Sequence, residues 1–486
     1  MQVQERLFIG GDWVEPSTTA TLDVISPHSE NVIARVAEGR EADMDRAVAA
    51  AREAFDHGPW PGMTATERAD VMGRLLALLQ ERSAELAVTI TNEMGSPISF
   101  SHMAQVMAAN MVLDYFVGLA REYPFEEVRP GMQGPTLVRR EPVGVAACIV
   151  PWNVPLFVTM LKLAPALAAG ATVVLKPAPE TPLDAIILAD AIREAGVPPG
   201  VVNIVPAGRE VGEHLVRHRG IDKVSFTGST AAGRRIAAIC GEQLKRVTLE
   251  LGGKSAAIIL DDADLASTIG GVLPAAIMNN GQACVAQTRI LASHARYREV
   301  TEALVEAMRS VQVGDPMDPS TLCGPLVAAR QRERVEGYIR VGREEGARIA
   351  CGGGRPKGLA KGWYVEPTVF VDVDNRMRIA QEEIFGPVLT VIPYDDVDDA
   401  VRIANESDYG LSGSVWSDDI DAGLEIARRI RTGTYTVNGF AMEFSAPFGG
   451  FKASGLGREL GPEGLAAYLE AKQINLPMGY DVQPRR

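Results

Sequence analysis

Apolar positions along this chain fall into two alternating blocks. Residues 143–150 are rich in strand formers, 155–169 carry apolar side chains at helical spacing interrupted at Pro165, and 171–175 return to strand composition. Further strand-like runs at 201–205, 223–226 and 247–251 are separated by helical or loop segments, which predicts a doubly wound parallel sheet. A second alternating block runs from 255 to about 453. It predicts strands at 255–260, 288–292, 365–371, 388–394, 412–416 and 434–438, with helices such as 297–311 between them. Gly252-Gly253 divides the two blocks. Upstream, short strands are expected at 6–9 and 21–26, a helix capped by Asp43 and running through Phe55, one or two helices over 64–91, and a long helix over 102–121. Around 122–140 the texture changes to Pro, Gly and charged residues, a pattern that suits a hairpin reaching away from the body. No period of 20 to 50 residues repeats.

Length and charge narrow the class. At 486 residues the chain exceeds one ordinary core, so two or three domains are expected. A net charge of -14 with no basic run works against a nucleic-acid partner. The opening Met1–Arg6 lacks the features of a secretory signal, so export is not expected. Residues 142–161 carry no charge, but three prolines and Asn153 break them into strand, loop and helix, the pattern of a buried parallel unit and not of a membrane span. Five scattered cysteines without CxxC spacing argue against a disulfide framework or a zinc site. No metal is expected, and the compartment expected is a reducing cytoplasm.

Candidate chemistry centres on Cys284, in Gly281-Gln282-Ala283-Cys284-Val285-Ala286, and Glu250, in Leu249-Glu250-Leu251-Gly252-Gly253-Lys254. An isolated cysteine is commonly a buried hydrophobe. Here the polar turn before it, and a nearest histidine as distant as His294, suggest a thiol served by a carboxylate base. Phe226-Thr227-Gly228-Ser229 follows a strand and opens a helix, which suits a pyrophosphate or is a plain turn, since the spacing is not GxGxxG. Lys176 ends an apolar strand, where it could hold a ribose hydroxyl or phosphate, or simply reach the surface. In Pro151-Trp152-Asn153-Val154-Pro155 the asparagine is either a helix cap or a neutral donor to an oxyanion, a role worth ~3 kcal/mol. Glu382-Glu383-Ile384-Phe385-Gly386-Pro387 offers an acid for ribose hydroxyls and a ring face, or a solvated helix end.

Together these strings, from Phe8-Ile9-Gly10-Gly11-Asp12-Trp13 to Pro447-Phe448-Gly449-Gly450-Phe451-Lys452, resemble the aldehyde dehydrogenase superfamily over essentially the whole chain. The resemblance implies an α/β fold in three parts: a Rossmann-like cofactor domain (1–121 and 142–252), an α/β catalytic domain (253–453) and a small β oligomerisation element (122–141 and 465–486). It implies Cys284 as nucleophile, Glu250 as general base, Asn153 with the Cys284 amide as oxyanion hole, and Lys162 and Glu459 as a proton relay. Ile149, Val150, Pro151, Trp152, Lys176, Gly228, Ser229, Leu251, Glu383 and Phe385 match cofactor contacts. NAD is the expected cofactor, although Pro179 stands where many NAD-preferring members carry Glu, followed by Glu180, which leaves NADP open. Val154, Phe157, Val158, Leu161, Ala283, Val285, Phe444 and Phe448 would form an apolar channel, fitting an aliphatic, aromatic or terpenoid aldehyde. A homodimer or homotetramer is expected, because the 122–140 excursion and a 471–476 strand would leave unpaired edges in a monomer. A CoA-acylating relative, a thiol hydrolase and a non-catalytic member are the alternatives, with Glu250 favouring hydrolysis.

Overall fold

The computed structural model describes residues 2–484; Met1, Arg485 and Arg486, at the ends of the expected 1–121 and 465–486 segments, lie outside the described residues. An eight-stranded sheet runs in the order Gly455–Leu456, Arg246–Glu250, Lys223–Thr227, Val145–Ile149, Thr172–Lys176, Val202–Ile204, Leu7–Ile9, Asp12–Val14. Its five inner strands are parallel and its edges antiparallel. Register matters for the site. Ile149 pairs with Lys176 and with no offset Phe226 faces Ile149, while Thr227 faces Glu250, so these residues share the carboxyl edge of the sheet.

A seven-stranded sheet follows, in the order Arg348–Cys351, Thr368–Val371, Val388–Tyr394, Arg289–Ser293, Ala256–Ile259, Gly413–Trp416, Thr436–Val437, parallel except at Arg348–Cys351. The 122–140 excursion is a hairpin of Glu126–Arg129 and Thr136–Pro142, and Leu469–Asn475 adds to it antiparallel. The expected strand at 21–26 is Thr21–Ile25, and it belongs to a further three-stranded sheet whose other members were not foreseen: Gln2–Gln4 and Thr21–Ile25 flank Val32–Ala37.

The helix Pro155–Ala169 lies at the centre of the largest core, with all fifteen residues buried. Burial of each large side chain contributes ~1.5–3 kcal/mol, which explains why Pro165 does not interrupt this helix as expected. One lost backbone bond is small beside that burial, and the helix stops instead at Gly170, whose φ of 91° is the left-handed C-cap. Two further expectations are corrected. Asp43 does not hold the N-cap position: the helix starts at Glu41, and Asp43, its third residue, closes a capping box by accepting from the amide of the N-cap Arg40 (2.9 Å), and it also accepts from the Ser17 amide (2.7 Å). The expected 102–121 helix becomes α-helical only at Ala108 and continues to Glu122, because Ser101–Met107 is a π-helical turn. The run Ile98–Glu122 is long and apolar enough to cross a membrane by length and composition; here it packs on the helices Ala65–Glu81 and Pro155–Ala169.

Candidate active site

The loop that carries Cys284 is bent by its own backbone. The helix Leu265–Ile277 runs into a short turn in which Asn279, Asn280 and Gly281 take φ of 53°, 62° and 72°. For the two asparagines the left-handed region costs roughly 1–2 kcal/mol each, and side-chain bonds offset it. Asn280 Nδ2 donates to the carbonyls of Gly95 (2.8 Å) and Pro325 (2.9 Å), and its Oδ1 accepts from the Gly324 amide (2.6 Å). Gly281 must lack a side chain, since a Cβ would stand 2.2 Å from the Gly386 carbonyl group. Gly253 is under the same constraint, with a Cβ 2.3 Å from the Cys284 carbonyl oxygen. Cys284 is half-buried, and burial pushes its thiol up to about 12, with the carboxylates of Glu383 and Glu250 adding to the rise. A thiol so placed stays protonated until a base takes its proton.

Asn153 is not a helix cap. Val154 occupies the N-cap position of the Pro155 helix without a side-chain cap bond, and Asn153 Nδ2 instead donates to the Gln282 carbonyl (2.8 Å). Its second N–H remains for another acceptor. The Asn153 carbonyl accepts from Asn279 Nδ2 (2.7 Å) and Gln105 Nε2 (3.1 Å), so the two loops are joined in both directions.

Glu250 ends its strand almost fully buried, with no side chain hydrogen-bonded to it among the described residues. Burial raises its carboxyl well above the usual range, the Glu459 carboxylate adds to the rise, and Lys162 opposes it. Gly449 makes the space: a Cβ there would lie 2.6 Å from Glu250 Oε1. Lys162 Nζ donates to Glu459 Oε1 (2.5 Å) and Thr227 Oγ1 (2.8 Å), a buried ion pair whose remaining donor and acceptor capacity is partly met by Ser225 Oγ (3.4 Å). The backbone of Glu459 exchanges two hydrogen bonds with Phe448, at 2.6 and 2.7 Å.

On the cofactor side, Ser229 caps the helix Thr230–Gln243 by accepting from the Ala232 amide (3.3 Å), and both Gly228 and Ser229 remain accessible. This exposed helix start has the free N–H groups a pyrophosphate requires. Lys176 is buried, with Nζ donating to Ala207 O (2.7 Å) and Pro177 O (3.1 Å), which leaves one of its three donors, and burial pulls it down to about 8. Glu383 Oε1 accepts from the Gly253 amide (3.0 Å). Phe385 sits at φ 64°, held by Gln331 Nε2 on its carbonyl (2.7 Å), with its ring edge-on to Trp152 at 5.4 Å. Ile149 and Val150 complete the strand end, and Pro151 follows it. Leu251 packs instead under Gly233 of the capped helix. Glu180 is paired with Arg330. On the opposite side Phe157, Val158, Leu161, Ala283, Val285 and Phe448 are buried in one apolar cluster, with Val154 and Phe444 against it. The rings of Phe157 and Phe444 lie 6.4 Å apart.

The aldehyde dehydrogenase family profile matches residues 13–474. The chain belongs to this family. A geranial dehydrogenase of Castellaniella defragrans is 48% identical over 97% of this chain and 98% of its own length. A 3-succinoylsemialdehyde-pyridine dehydrogenase of a Pseudomonas species is 43% identical over 99% and 100%. Among solved structures, a Mycobacterium tuberculosis aldehyde dehydrogenase complexed with NAD+ superposes with a TM-score of 0.98 at 50% identity, covering 99% of this chain and 100% of that one. A cysteine-to-alanine mutant of a Pseudomonas syringae aldehyde dehydrogenase, in complex with NAD+ and octanal, gives 0.94 at 44% identity, over 97% and 96%.

Within this family member, sequence reasoning missed Gln105, Asn279 and Asn280, which fasten the two loops, and Tyr115, Phe440 and Met442, which pack on the apolar cluster. Only Gln105 left a signal: it is the one polar residue inside the apolar run 103–109.

Proposed function

We propose that this aldehyde dehydrogenase oxidises an apolar aldehyde to its carboxylic acid with NAD, using Cys284 as nucleophile, Asn153 and the Cys284 amide as oxyanion donors and Glu250 as general base. The observation that carries the reading is the Asn153–Gln282 bond, which fixes a neutral amide donor beside the cysteine loop. Glu250 takes the Sγ proton, and the thiolate adds to the carbonyl carbon to form a C–S bond and an oxyanion that Asn153 stabilises. Bound NAD supplies the acceptor for the hydride that leaves this carbon. The resulting thioester on Cys284 is attacked by a water that gives its proton to Glu250; the C–S bond breaks and the acid leaves. The Lys162–Glu459 pair stands next in line to carry the proton away.

Ser229, Lys176 and Glu383 fit a dinucleotide, and the NAD+ complexes of the relatives support that cofactor. The apolar cluster, the geranial-oxidising relative and the octanal complex support an aliphatic or terpenoid substrate. The reading includes the three-part division at 1–121 with 142–252, 253–453, and 122–141 with 465–486, the last joining subunits through the edges of its three-stranded sheet. It also includes a reducing cytoplasm, in keeping with five free thiols.

The test is absorbance of reduced nicotinamide with NAD or NADP, across aliphatic, aromatic and terpenoid aldehydes, with and without CoA. Acid formation without CoA and silence of Cys284→Ala are expected. A requirement for CoA, or full activity of the alanine variant, would sink the hydrolytic mechanism.

A further inference from the structure

We propose that Gln105, turned into the site by the π-helical segment Ser101–Met107, is a positioning residue that holds the oxyanion donor Asn153 in register with Cys284; this rests on the reading of Asn153 above. Within that segment the Ala108 amide reaches back five residues to Met103 O, so the turn carries an extra residue. Such turns are rare and are frequently found at functional sites. Its effect here is directional. Ser101, Gln105 and Val106 point inward while His102, Met103 and Met107 stay exposed, and the Gln105 amide ends up fully buried 3.1 Å from the Asn153 carbonyl.

That carbonyl lies outside the ladder of the following helix, whose first bond runs from the Val158 amide to Val154 O (3.0 Å). Two side-chain amides satisfy it instead, Gln105 from one side of the fold and Asn279 from the cysteine loop. Both bonds fix the peptide plane of Asn153 and hence the direction of its side chain, which reaches Gln282 O. The orientation of the Gln105 amide follows from chemistry, because the reverse would set two carbonyl oxygens against each other. Its Oε1 is left buried without a protein partner, so the residue is placed for its donor end. Oxyanion donors are sensitive to placement: losing one costs about 10²–10³ in kcat, and small displacements cost a fraction of that.

The test uses the full-length enzyme with NAD and octanal, comparing Gln105→Met, which keeps the shape without the donor, with Asn153→Ala and the double variant. We expect Gln105→Met to lower kcat about tenfold at unchanged KM for NAD, and to cost nothing further once Asn153 is alanine. Gln105→Glu can donate only when protonated, so its kcat should show a descending limb with rising pH that the wild type lacks. A Gln105→Met enzyme within twofold of wild type, an equal proportional loss in both backgrounds, or a Gln105→Glu profile parallel to wild type overturns the proposal. If Gln105→Met does not fold, the Gln105→Glu profile decides. A fully active Asn153→Ala removes the oxyanion reading itself, and the role of Gln105 with it; a slow Asn153→Ala with additive losses removes only the latter.

Discussion

Three neighbouring side chains act on the proton affinity of the buried Glu250, and they pull in opposite directions. Burial and the Glu459 carboxylate raise it, whereas Lys162 and Arg458 lower it. As the proposed general base, Glu250 must be ionised to work, so the acidic limb of the kcat profile should report this balance. Glu459→Gln removes the neighbouring negative charge and leaves Lys162 nearby, which should move the limb to lower pH. Lys162→Met leaves the carboxylates facing each other and should move it to higher pH. Shifts in the same direction in both variants would detach the limb from Glu250. Removing one member of a buried pair also destabilises, by ~3–5 kcal/mol, so thermal melts belong beside the rate profiles.

At the scale of elements, the loop Met278–Gly281 stores backbone strain that its hydrogen bonds hold in place. Gly281→Ala adds a Cβ against the Gly386 carbonyl group in a left-handed position. It should lower kcat by more than a hundredfold, since Cys284 is three residues away, and lower the melting temperature by more than the left-handed cost of ~1–2 kcal/mol alone would, because the Gly386 and Pro387 backbone must move to admit the Cβ; equal activity would mean that the loop is not held as described. Sequence reading served elements unequally for physical reasons. Val388–Tyr394 was legible to the residue because a strand buried on nearly every side is a continuous apolar run. Lys176 and Glu250 stood out as polar residues ending such runs. Gln2–Gln4 and Asp12–Val14 are three residues each, too short and mixed to show a period. The π-turn disturbs no apolar spacing that a helix would require. Gln105 and Asn279 act on a carbonyl 48 and 126 residues away, and no local pattern encodes a partner at that distance.

Across the whole molecule, a second pair of buried acids makes stability depend on pH. Glu93 accepts from the amides of Leu183 (2.9 Å) and Asp184 (3.4 Å), fastening the helix Leu183–Glu194 to the helix Ser83–Met94. Burial raises Glu93 well above the carboxylate range and raises Asp184 to about 7. Raised acids contribute stability that is complete below about pH 4 and is lost as pH climbs through the folded value. Melting temperature should therefore fall between pH 5 and 7.5, and Asp184→Asn should flatten that fall; an unchanged slope would exclude the pair as its cause. The two hydrogen bonds between Phe448 and Glu459 have a consequence of a different kind. In the mechanism proposed above, the wall that would measure an aldehyde and the carboxylate that would tune the base hang on one short ladder, so a bulky guest that displaces the wall would also retune the second half of the turnover. Preference among aldehydes would then be written partly in how fast each acid is released, and a ranking by capture alone would misjudge the enzyme's choice.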